Sequence, residues 1–486
     1  MLAYFQNLSM YRLMLYCLRA LIAVAVVLSF FKILPYTWWH ILLNLFYLIG
    51  VCFVANQILT KLYKIKPNYE SQFITAQILT LIVGPYFSLG TLWPLTIAGT
   101  ISMASKYLLA YKHRHIFNPA AAGVLAMALA TPLAASWWVG NIYLMPVILI
   151  GGFLILKKLR WFHLAFSFLL IYLIGLTVSQ GSFGFDYFTI LAPMLFFSSV
   201  MLIEPLTAPT DKRRRIFYGT GIAVILTLLV KFTDLTYSLE LSLLMGNLAV
   251  FIFNPKQNIS LKLLKIEPIT ENIKAFWFEP LKRFQFVPGQ FLEWSLPHDH
   301  PDSRGSRRWF TISASPTENR IMLTTKFAKK SSSFKSALQK LRTGDELTAT
   351  GPEGSFVLPK NAAQKLIFLA GGIGITPFRS MIKYLFDSHQ SRDVVLLYSV
   401  KNQGEIAFRD LFEEAKKTGL KAVYQITDST GYINPEIIKK EVPDWYERMF
   451  YVSGPEPMVE AFEKMLYAMG VAKQDVKRDY FPGYTE

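Results

Sequence analysis

The chain has 486 residues, enough for several domains, and 52% of them are hydrophobic, which excludes an ordinary soluble protein. Charge is unevenly spread: residues 1–255 hold 17 Lys and Arg against 6 Asp and Glu, whereas residues 256–486 hold 33 against 27. The only two cysteines, Cys17 and Cys52, lie in apolar stretches, which excludes a four-cysteine iron–sulfur cluster or zinc ribbon.

Ten apolar runs are the most regular feature of the N-terminal half. A helix needs roughly 20 mostly apolar residues to cross the hydrocarbon core of a membrane. The first run follows Arg12 and precedes no small-residue cleavage site, so we interpret it as a span and not as a signal peptide. We therefore predict a polytopic α-helical membrane domain over residues 1–255. The runs lie near 14–34, 38–60, 72–90, 92–111, 118–138, 141–156, 161–180, 186–203, 216–232 and 236–254.

The basic residues of this half indicate how the spans are oriented. Lys and Arg occupy alternate loops, and the loops between them, such as "LPYTWW" and "SWWVGN", carry none. By the positive-inside rule, both termini and the C-terminal half lie on the cytoplasmic side of the cell (inner) membrane. The same rule accounts for the basic loop "TDKRRR", so membrane lipid is an expected partner and nucleic acid is not.

Helix breakers fall at matching positions in the two halves of this domain. Ten spans divide into two five-span halves that would be inverted with respect to each other. Gly84-Pro85 lies in the third run of the first half, and Pro193 lies in the third run of the second. Breakers at corresponding positions are the sequence sign of a midplane site between inverted repeats, although proline also occurs in membrane helices for packing reasons.

The stretch "KHRHIFNPAAAG", residues 112–123, precedes the fifth run. His113 and His115 are separated by one residue in a loop, which makes them poor haem or metal ligands. We interpret them as part of a basic, solvent-exposed cytoplasmic loop at the start of the fifth span. Asn118 is placed to cap the fifth helix, with Pro119 in its first turn. The positive end of that helix would face the cytoplasm and could receive an anionic or electron-rich cofactor edge.

The C-terminal half changes to short strands and turns. Alternating runs such as "IKAFWFEP" and "GQFLEWSL" predict a small antiparallel β-barrel over residues 256–360. From about residue 362, apolar strands alternate with helices, which predicts a doubly wound parallel α/β sheet over residues 361–486. A ligand of such a sheet lies at the carboxyl ends of its strands.

A glycine-rich loop, "AGGIGITPF", follows the first strand of this sheet. Gly371, Gly372 and Gly374 let the backbone approach a ligand closely. Thr376 is expected to cap the next helix, with Pro377 at its first position, and the helix start offers N–H groups to a pyrophosphate. The loop therefore predicts a dinucleotide site.

Six motifs follow one another along the C-terminal half: "FVPGQFLEWSLP", "RRWFTISASP", "GPEGSF", "GGIGITP", "YVSGPEPM" and "FPGYTE". In kind and in order they resemble the motifs of the ferredoxin-NADP reductase superfamily. The resemblance implies FAD on the barrel and NADH or NADPH on the parallel sheet.

The same resemblance assigns roles to residues of the flavin site. In Arg308-Trp309-Phe310-Thr311, the arginine would bind flavin phosphate, the phenylalanine would pack on the isoalloxazine, and the threonine hydroxyl would hydrogen-bond near N5. Help in holding the FAD diphosphate would come from Ser331, Ser332 and Ser333.

Further roles concern the nicotinamide. Phe481 or Tyr484 would cover the flavin face until nicotinamide displaces it. Where many relatives have Cys-Gly-Pro, this chain has Ser453-Gly454-Pro455, which keeps a small polar group near the nicotinamide without a thiol. After the second strand, a 2′-phosphate could be received by Ser399 and Lys401, which leaves NADH and NADPH both open.

Two segments of the membrane half stand out, "IFNPAAAGVLAMAL" (116–129) and "MLFFSSVMLIEPLTAP" (194–209). They resemble matching segments in the membrane flavoprotein subunits of sodium-translocating NADH:quinone reductase and of the Rnf complex. It implies a urea-transporter-like inverted repeat that holds a flavin in the membrane. These subunits commonly attach FMN to a Gly-Ala-Thr threonine, which this chain lacks; its outward loop offers only Ser179 and Ser182, so a non-covalent FMN or riboflavin is expected.

The sequence therefore favours a membrane NAD(P)H oxidoreductase that passes hydride to FAD and then single electrons through the membrane domain, to a quinone or an acceptor at the far face. Other redox proteins are possible partners. Two alternatives stay open. One is a redox-gated or redox-driven transporter or channel, and the other is a ferric or flavin reductase with a haem-binding or anchoring helical half, although no helix carries two suitably spaced histidines.

Overall fold

The computed structural model describes residues 10–63, 69–85, 88–111, 114–180, 187–209, 211–253, 257–282, 284–299, 301–302, 306–328 and 331–481. The chain divides into two compact units, Leu8–Lys256 and Gln257–Glu486. The first unit is helical, and the second contains two β-sheets.

The described residues of the first unit form ten helices, and each helix overlaps one of the ten predicted apolar runs. A two-strand hairpin, β1 (Ala110–Tyr111) and β2 (Arg114–His115), precedes the fifth helix. The helices are α1 (Met10–Phe30), α2 (Trp38–Leu62), α3 (Tyr69–Ile82), α4 (Leu89–Leu108), α5 (Pro119–Ala130), α6 (Met145–Leu159), α7 (Phe162–Gln180), α8 (Tyr187–Phe196), α9 (Lys212–Phe232) and α10 (Ser238–Phe253).

Three of these helices, α1, α2 and α9, are long and apolar enough to cross a membrane, judged by length and composition within the described residues. Helices α5, α7 and α10 and the segment Ile190–Met201 are apolar but shorter. The helical nature of the first unit is thus as expected, while the ten-span membrane domain stays a prediction.

The third predicted run is not one continuous helix. Helix α3 ends at Ile82, because Pro85 has no N–H and disfavours helical backbone at Gly84. The carbonyl of Ile82 accepts the N–H groups of Ser136 and Trp137 at 3.0 and 2.9 Å instead of a helical partner. A carbonyl freed at a helix end is thereby satisfied from a neighbouring segment.

The second breaker also changes the local helix. Pro193 lies inside α8, which continues as a π-helical turn over Phe197–Met201. Proline removes one i to i−4 hydrogen bond, and π-turns are common where a helix ladder is interrupted. The backbone at Gly140 approaches this point closely, since a Cβ there would lie 2.2 Å from Cγ of Pro193. The predicted inverted repeat and midplane site stay predictions.

The second unit begins with an antiparallel sheet of six strands and one short helix. They are β3 (Gln257–Pro268), β4 (Ile273–Pro280), β5 (Phe291–Ser295), β6 (Arg307–Thr311), β7 (Ile321–Lys326), α11 (Ser333–Gln339) and β8 (Glu346–Glu353). The sheet is curled, and its strand order is β6-β5-β8-β3-β4-β7. Just after β6, the N–H of Ser313 donates to the carbonyl of Met322 on β7 at 2.8 Å, which brings the two ends of the sheet together. Its core includes Phe276, Leu292 and Trp294.

A parallel sheet of five strands with its helices follows. The elements are β9 (Leu366–Gly371), α12 (Thr376–Asp387), β10 (Val394–Val400), α13 (Arg409–Glu414), β11 (Leu420–Ile426), α14 (Thr427–Thr430), α15 (Pro435–Glu441), β12 (Met449–Pro455), α16 (Glu456–Ala468) and β13 (Val476–Phe481). The strand order is β11-β10-β9-β12-β13. Strands β9 and β10 are buried along their whole length, as strands covered on both faces are. The chain reverses its direction of winding between β9 and β12, the place where ligands of such sheets bind.

Candidate functional site

The glycines of the predicted dinucleotide site line the crevice between β9 and β12. Ala370 and Ser453 are register partners, so both strands end together. A Cβ on Gly374 would lie 2.3 Å from the carbonyl oxygen of Ser453, and a Cβ on Gly371 would lie 2.0 Å from Sδ of Met458. A side chain at position 374 would overlap backbone, which cannot move aside, whereas at position 371 it would meet the flexible end of the Met458 side chain. Glycine at 374 therefore keeps the two strand ends close together and open to a ligand.

The loop enters helix α12 through a 3-10 turn, Gly372–Ile375. Gly372 has φ of +50°, a backbone conformation that favours glycine. The predicted cap is wrong: Ile375 is already helical and precedes the helix, and the hydroxyl of Thr376 donates to the carbonyl of Ile373 at 3.2 Å. Pro377 accordingly occupies the second helical position. The N–H of Thr376 donates to the carbonyl of Ile373, so the 3-10 turn and not the first turn of α12 follows the carboxyl end of β9 directly.

The other predicted nucleotide residues lie at the same edge of the sheet. Ser453 is fully buried, and its hydroxyl has no hydrogen-bond partner among the described residues. Gly454 and Pro455 complete β12. On the neighbouring strand Ser399 pairs in register with Gly371, and Lys401 follows directly after the strand. The structure thus brings these residues to one edge, where a nucleotide would be expected.

The flavin motif lies on β6, and a carboxylate links two of its predicted phosphate-binding groups. Nη2 of Arg308 donates to Oδ1 of Asp302 at 2.7 Å. The N–H of Ser333 donates to the other carboxylate oxygen of Asp302 at 3.2 Å, and the Ser333 hydroxyl accepts the N–H of Asp302 at 2.8 Å. Sequence reasoning missed Asp302, because a single acid in a polar loop carries no motif.

The two neighbouring serines serve local structure. The Ser332 side chain caps α11 by accepting the N–H of Lys335 at 3.3 Å, and the hydroxyl of Ser331 donates to the carbonyl of Ala328 at 3.0 Å. All three predicted serines therefore lie at the start of one short helix, with Ser333 in contact with the group that holds Arg308.

Thr311 presents a buried hydroxyl that has no hydrogen-bond partner among the described residues. Leaving a buried hydroxyl unpaired is costly, so such a group indicates a missing partner. Phe310 packs at 5.7 Å between ring centroids against Phe334, and its carbonyl accepts Nε1–H of Trp294 at 3.3 Å. Trp309 is half exposed. These residues fit a flavin whose N5 edge would meet the Thr311 hydroxyl.

The predicted aromatic cover of the flavin is only partly described. Strand β13 ends at Phe481, whose backbone pairs in register with Pro455 at the carboxyl edge. The side chain of Phe481 and the whole of Tyr484 lie outside the described residues. The backbone register alone brings Phe481 to the edge where the nicotinamide is predicted.

The predicted start of helix α5 is confirmed. Oδ1 of Asn118 accepts the N–H of Ala121 at 3.1 Å, and Pro119 is the first helical residue. Asn118 has further buried partners: its Nδ2 donates to the carbonyl of Met201 at 3.2 Å, and its N–H donates to Oδ1 of Asn247 at 2.8 Å. The cap thus joins α5 to the π-helical turn and to α10.

The histidine at the foot of this helix corrects a prediction. His115 is buried, and its Nε2 lies 2.8 Å from Oε1 of Glu204, so it is not part of a basic, solvent-exposed loop. The hairpin of β1 and β2 turns the chain back and carries this side chain inward. The second oxygen of Glu204 is buried with no hydrogen-bond partner in the described part of the chain. His113, Ser182 and the side chain of Ser179 lie outside the described residues.

A third ionisable group is buried in the same unit. Nζ of Lys106 donates to the carbonyl and hydroxyl oxygens of Ser71 and to the hydroxyl of Thr75, at 2.9 to 3.1 Å. Across the described residues, no three His, Cys, Asp or Glu side chains come together in a way that could hold a metal ion.

Comparison with known proteins supports the reductase assignment of the C-terminal part. Residues 368–464 match the family described as oxidoreductase NAD-binding domain. The chain is 30% identical over 236 residues to the stachydrine N-demethylase reductase subunit of Rhizobium meliloti, covering 45% of this chain and 66% of that protein. It is 28% identical over 233 residues to the glycine betaine monooxygenase reductase subunit of Chromohalobacter salexigens, covering 45% and 62%. The chain thus spans slightly less than two thirds of these relatives.

Among solved structures, the cytochrome P450 reductase of Amycolatopsis aligns with 47% of this chain and 70% of its own, at 21% identity and a TM-score of 0.42. A similarity at this TM-score carries no weight for function. The sequence matches confirm the predicted resemblance of the C-terminal part to flavin- and NAD-binding reductases. The resemblance of the helical half to membrane flavoprotein subunits stays a prediction.

Proposed function

We propose that this chain, whose C-terminal part is an FAD- and NAD-binding oxidoreductase domain of the ferredoxin-NADP reductase type, is a membrane-bound NAD(P)H oxidoreductase. The observation that carries the proposal is that one unit contains a glycine-lined crevice at a sheet switch point and, on the strand that carries Arg308, a buried Thr311 hydroxyl with no hydrogen-bond partner among the described residues. When bound, the flavin accepts hydride from the nicotinamide and releases electrons singly.

The protein's own groups have distinct tasks in this proposal. Gly371 and Gly374 keep the crevice clear of side chains, so that the pyrophosphate meets backbone N–H groups of the Gly372–Ile375 turn that leads into α12. Ser453 presents a small hydroxyl at the nicotinamide position. Arg308 supplies a charged fork to the flavin phosphate, and Thr311 orients the flavin edge that receives hydride.

The first unit is proposed to lie in the cell membrane, with both termini in the cytoplasm. Its helices carry large apolar side chains on their exposed faces, among them Phe46, Ile58, Phe166 and Phe217. Exposed apolar faces of this extent are unusual in soluble proteins and are stabilised by lipid. The alternation of basic loops supports the orientation.

A second, non-covalent flavin, FMN or riboflavin, is proposed for this helical unit. A hydrocarbon core of roughly 30 Å is too thick for one efficient electron-transfer step, so delivery to the far face needs an intermediate carrier. The capped start of α5 at Asn118, close to the π-helical turn, supports a carrier site there. Because the relatives are named reductase subunits, a protein acceptor is proposed beside a quinone.

The buried pair of His115 and Glu204 favours a second candidate, a redox-driven ion transporter. Ionisable groups inside a membrane domain usually mark ion or proton paths. In this candidate the same reductase half drives ion flow through the helical unit, and no flavin is needed in the membrane.

Pigment content separates these possibilities. The full chain is purified in detergent, its pigments are extracted, and FAD, FMN, riboflavin and haem are quantified per chain. The proposal expects FAD together with FMN or riboflavin. FAD without a second chromophore would contradict the two-flavin route and favour the transporter or an anchor, and a haem Soret band would favour a haem-dependent reductase.

A further inference from the structure

A buried arginine joins the flavin-binding sheet to the helix that starts at the nucleotide site. Arg379 is the fourth residue of α12 and only 7% exposed. Its Nη2 donates to Oε1 of Glu318 at 2.8 Å, and its Nη1 contacts Oε2 of the same carboxylate. Nη1 also donates to the carbonyl of Ser313 at 3.0 Å. The guanidinium thus forms a two-pronged ion pair and holds a backbone carbonyl at the same time.

Aromatic rings restrict the same guanidinium. Its central carbon lies 5.7 Å from the ring centroid of Trp277 on β4 and 5.6 Å from that of Phe408, which precedes α13. A cation within about 6 Å of an aromatic ring is attracted to its face. Arg379 is therefore held by a strand of the antiparallel sheet on one side and by the residue before α13 on the other, and it has little freedom to relax if one partner is lost.

Two neighbouring contacts tie the same pair of segments. The hydroxyl of Ser380 donates to the carbonyl of Ala314 at 2.6 Å. The hydroxyl of Thr317 donates to Oδ2 of Asp387, at the end of α12, at 2.5 Å. The segment 313–318 is thus bound to α12 near its start, through Arg379 and Ser380, and at its end, through Asp387.

The two segments that Arg379 joins each lie next to one of the two predicted cofactor sites. Segment 313–318 begins two residues after Thr311, at the predicted N5 edge of the flavin. Helix α12 begins two residues after Gly374, in the nucleotide crevice. Hydride transfer requires reacting atoms about 3–3.5 Å apart, and a misplacement of about 1 Å can lower a rate about 100-fold. A contact that fixes α12 against the flavin strand therefore acts on that distance.

We propose that Arg379 and Glu318 are positioning residues that set the nicotinamide-to-flavin distance for hydride transfer. The inference rests on the proposed reductase function and adds to it two residues that touch neither cofactor. It predicts that loss of the pair slows flavin reduction while nucleotide and flavin remain bound.

The test measures flavin reduction in the full-length, FAD-loaded protein. R379M, R379K, E318Q and the double variant R379M/E318Q are mixed anaerobically with NADH or NADPH in a stopped-flow instrument. The limiting rate of flavin bleaching, the nucleotide Kd and the long-wavelength charge-transfer absorbance are recorded. We expect R379M and E318Q to lower the limiting rate about 10- to 100-fold and to weaken the charge-transfer band, with Kd changed less than about threefold.

The conservative and double variants separate positioning from stability. R379K keeps the charge but lacks the planar fork, so it should recover only part of the rate. R379M/E318Q leaves no buried unpaired charge, so its Tm should rise above that of R379M while its rate stays low.

Arg448 provides the matched control. It is 8% exposed, donates two hydrogen bonds to Asp393 and two to Asp444, and directly precedes β12 at the amino edge of the same sheet, away from the nucleotide crevice. R448M should lower Tm as R379M does and leave the limiting rate unchanged. The inference is overturned if R379M, R379K and E318Q reduce flavin at the wild-type rate, or if R448M slows it equally. If wild-type flavin is reduced by neither nucleotide, the proposed function itself fails.

Discussion

Replacing Thr311 by valine should change stability and flavin chemistry in opposite directions. Valine keeps the branched shape of threonine and removes only the hydroxyl, which is buried and has no hydrogen-bond partner among the described residues. In the FAD-free protein an unpaired buried hydroxyl costs about 1–3 kcal/mol, and T311V removes that cost. At about 2–4 °C per kcal/mol for a unit of this size, its Tm should rise by several degrees.

With flavin bound, T311V should be unfavourable, because it should weaken flavin binding or slow flavin reduction. If the hydroxyl donates to the flavin near N5, its loss removes about 0.5–1.5 kcal/mol. That corresponds to a rate or affinity lower by a factor of about 2–13, since 1.36 kcal/mol is tenfold. FAD-free and FAD-loaded T311V are therefore compared with wild type by thermal unfolding, by FAD binding and by the rate of flavin reduction.

Thr324 supplies the control for this experiment. It is 3% exposed, against 2% for Thr311, and its hydroxyl is likewise buried without a partner in the described part of the chain, but it lies on β7 outside the flavin motif. T324V should stabilise the FAD-free protein and leave flavin reduction unchanged. A lower Tm for FAD-free T311V, or unchanged flavin affinity and rate, would refute the role given to Thr311.

Three further predictions concern the parallel sheet and the membrane half. G374A places a Cβ 2.3 Å from the carbonyl oxygen of Ser453, and the backbone shift should lower nucleotide affinity at least tenfold by titration, whereas G404A in an exposed turn should not. The hydrogen bond from Arg448, with a second from Lys365, lowers the pKa of Asp444 from 3.8 to about 2. The D444N variant should therefore have a lower Tm than wild type above pH 4, and the difference in Tm should vanish as the pH falls through about 2. A difference in Tm that stays constant with pH would contradict this prediction. Reporter fusions at the C-terminus should indicate a cytoplasmic location, and an external location would contradict the predicted topology.

The parts of the fold that follow from local pattern were predictable. Each of the ten apolar runs overlaps a helix. Asn118-Pro119 correctly predicted the start of α5, because cap and first-turn chemistry act over only a few residues. The glycine loop was placed correctly, since β9 before it is apolar throughout. Strand β13, "VKRDYF", was missed because charges at an edge strand hide its alternation.

Contacts between residues far apart in the chain could not be predicted from local sequence patterns. Glu204 lies 89 residues from His115, and Glu318 lies 61 from Arg379, so neither pair leaves a spacing pattern. The cap predicted at Thr376 failed because a 3-10 turn already makes Ile375 helical, which propensity alone does not indicate. Both long-range ion pairs, His115–Glu204 and Arg379–Glu318, therefore became visible only in the folded structure.

The most direct test of the proposed function is anaerobic titration of the purified, full-length protein with NADH and with NADPH while its flavin absorbance is recorded. The proposal predicts that FAD purifies with the chain or binds when added, and that at least one of the two nucleotides bleaches it. A chain that binds no FAD, or whose bound FAD stays oxidised with both nucleotides, would contradict it.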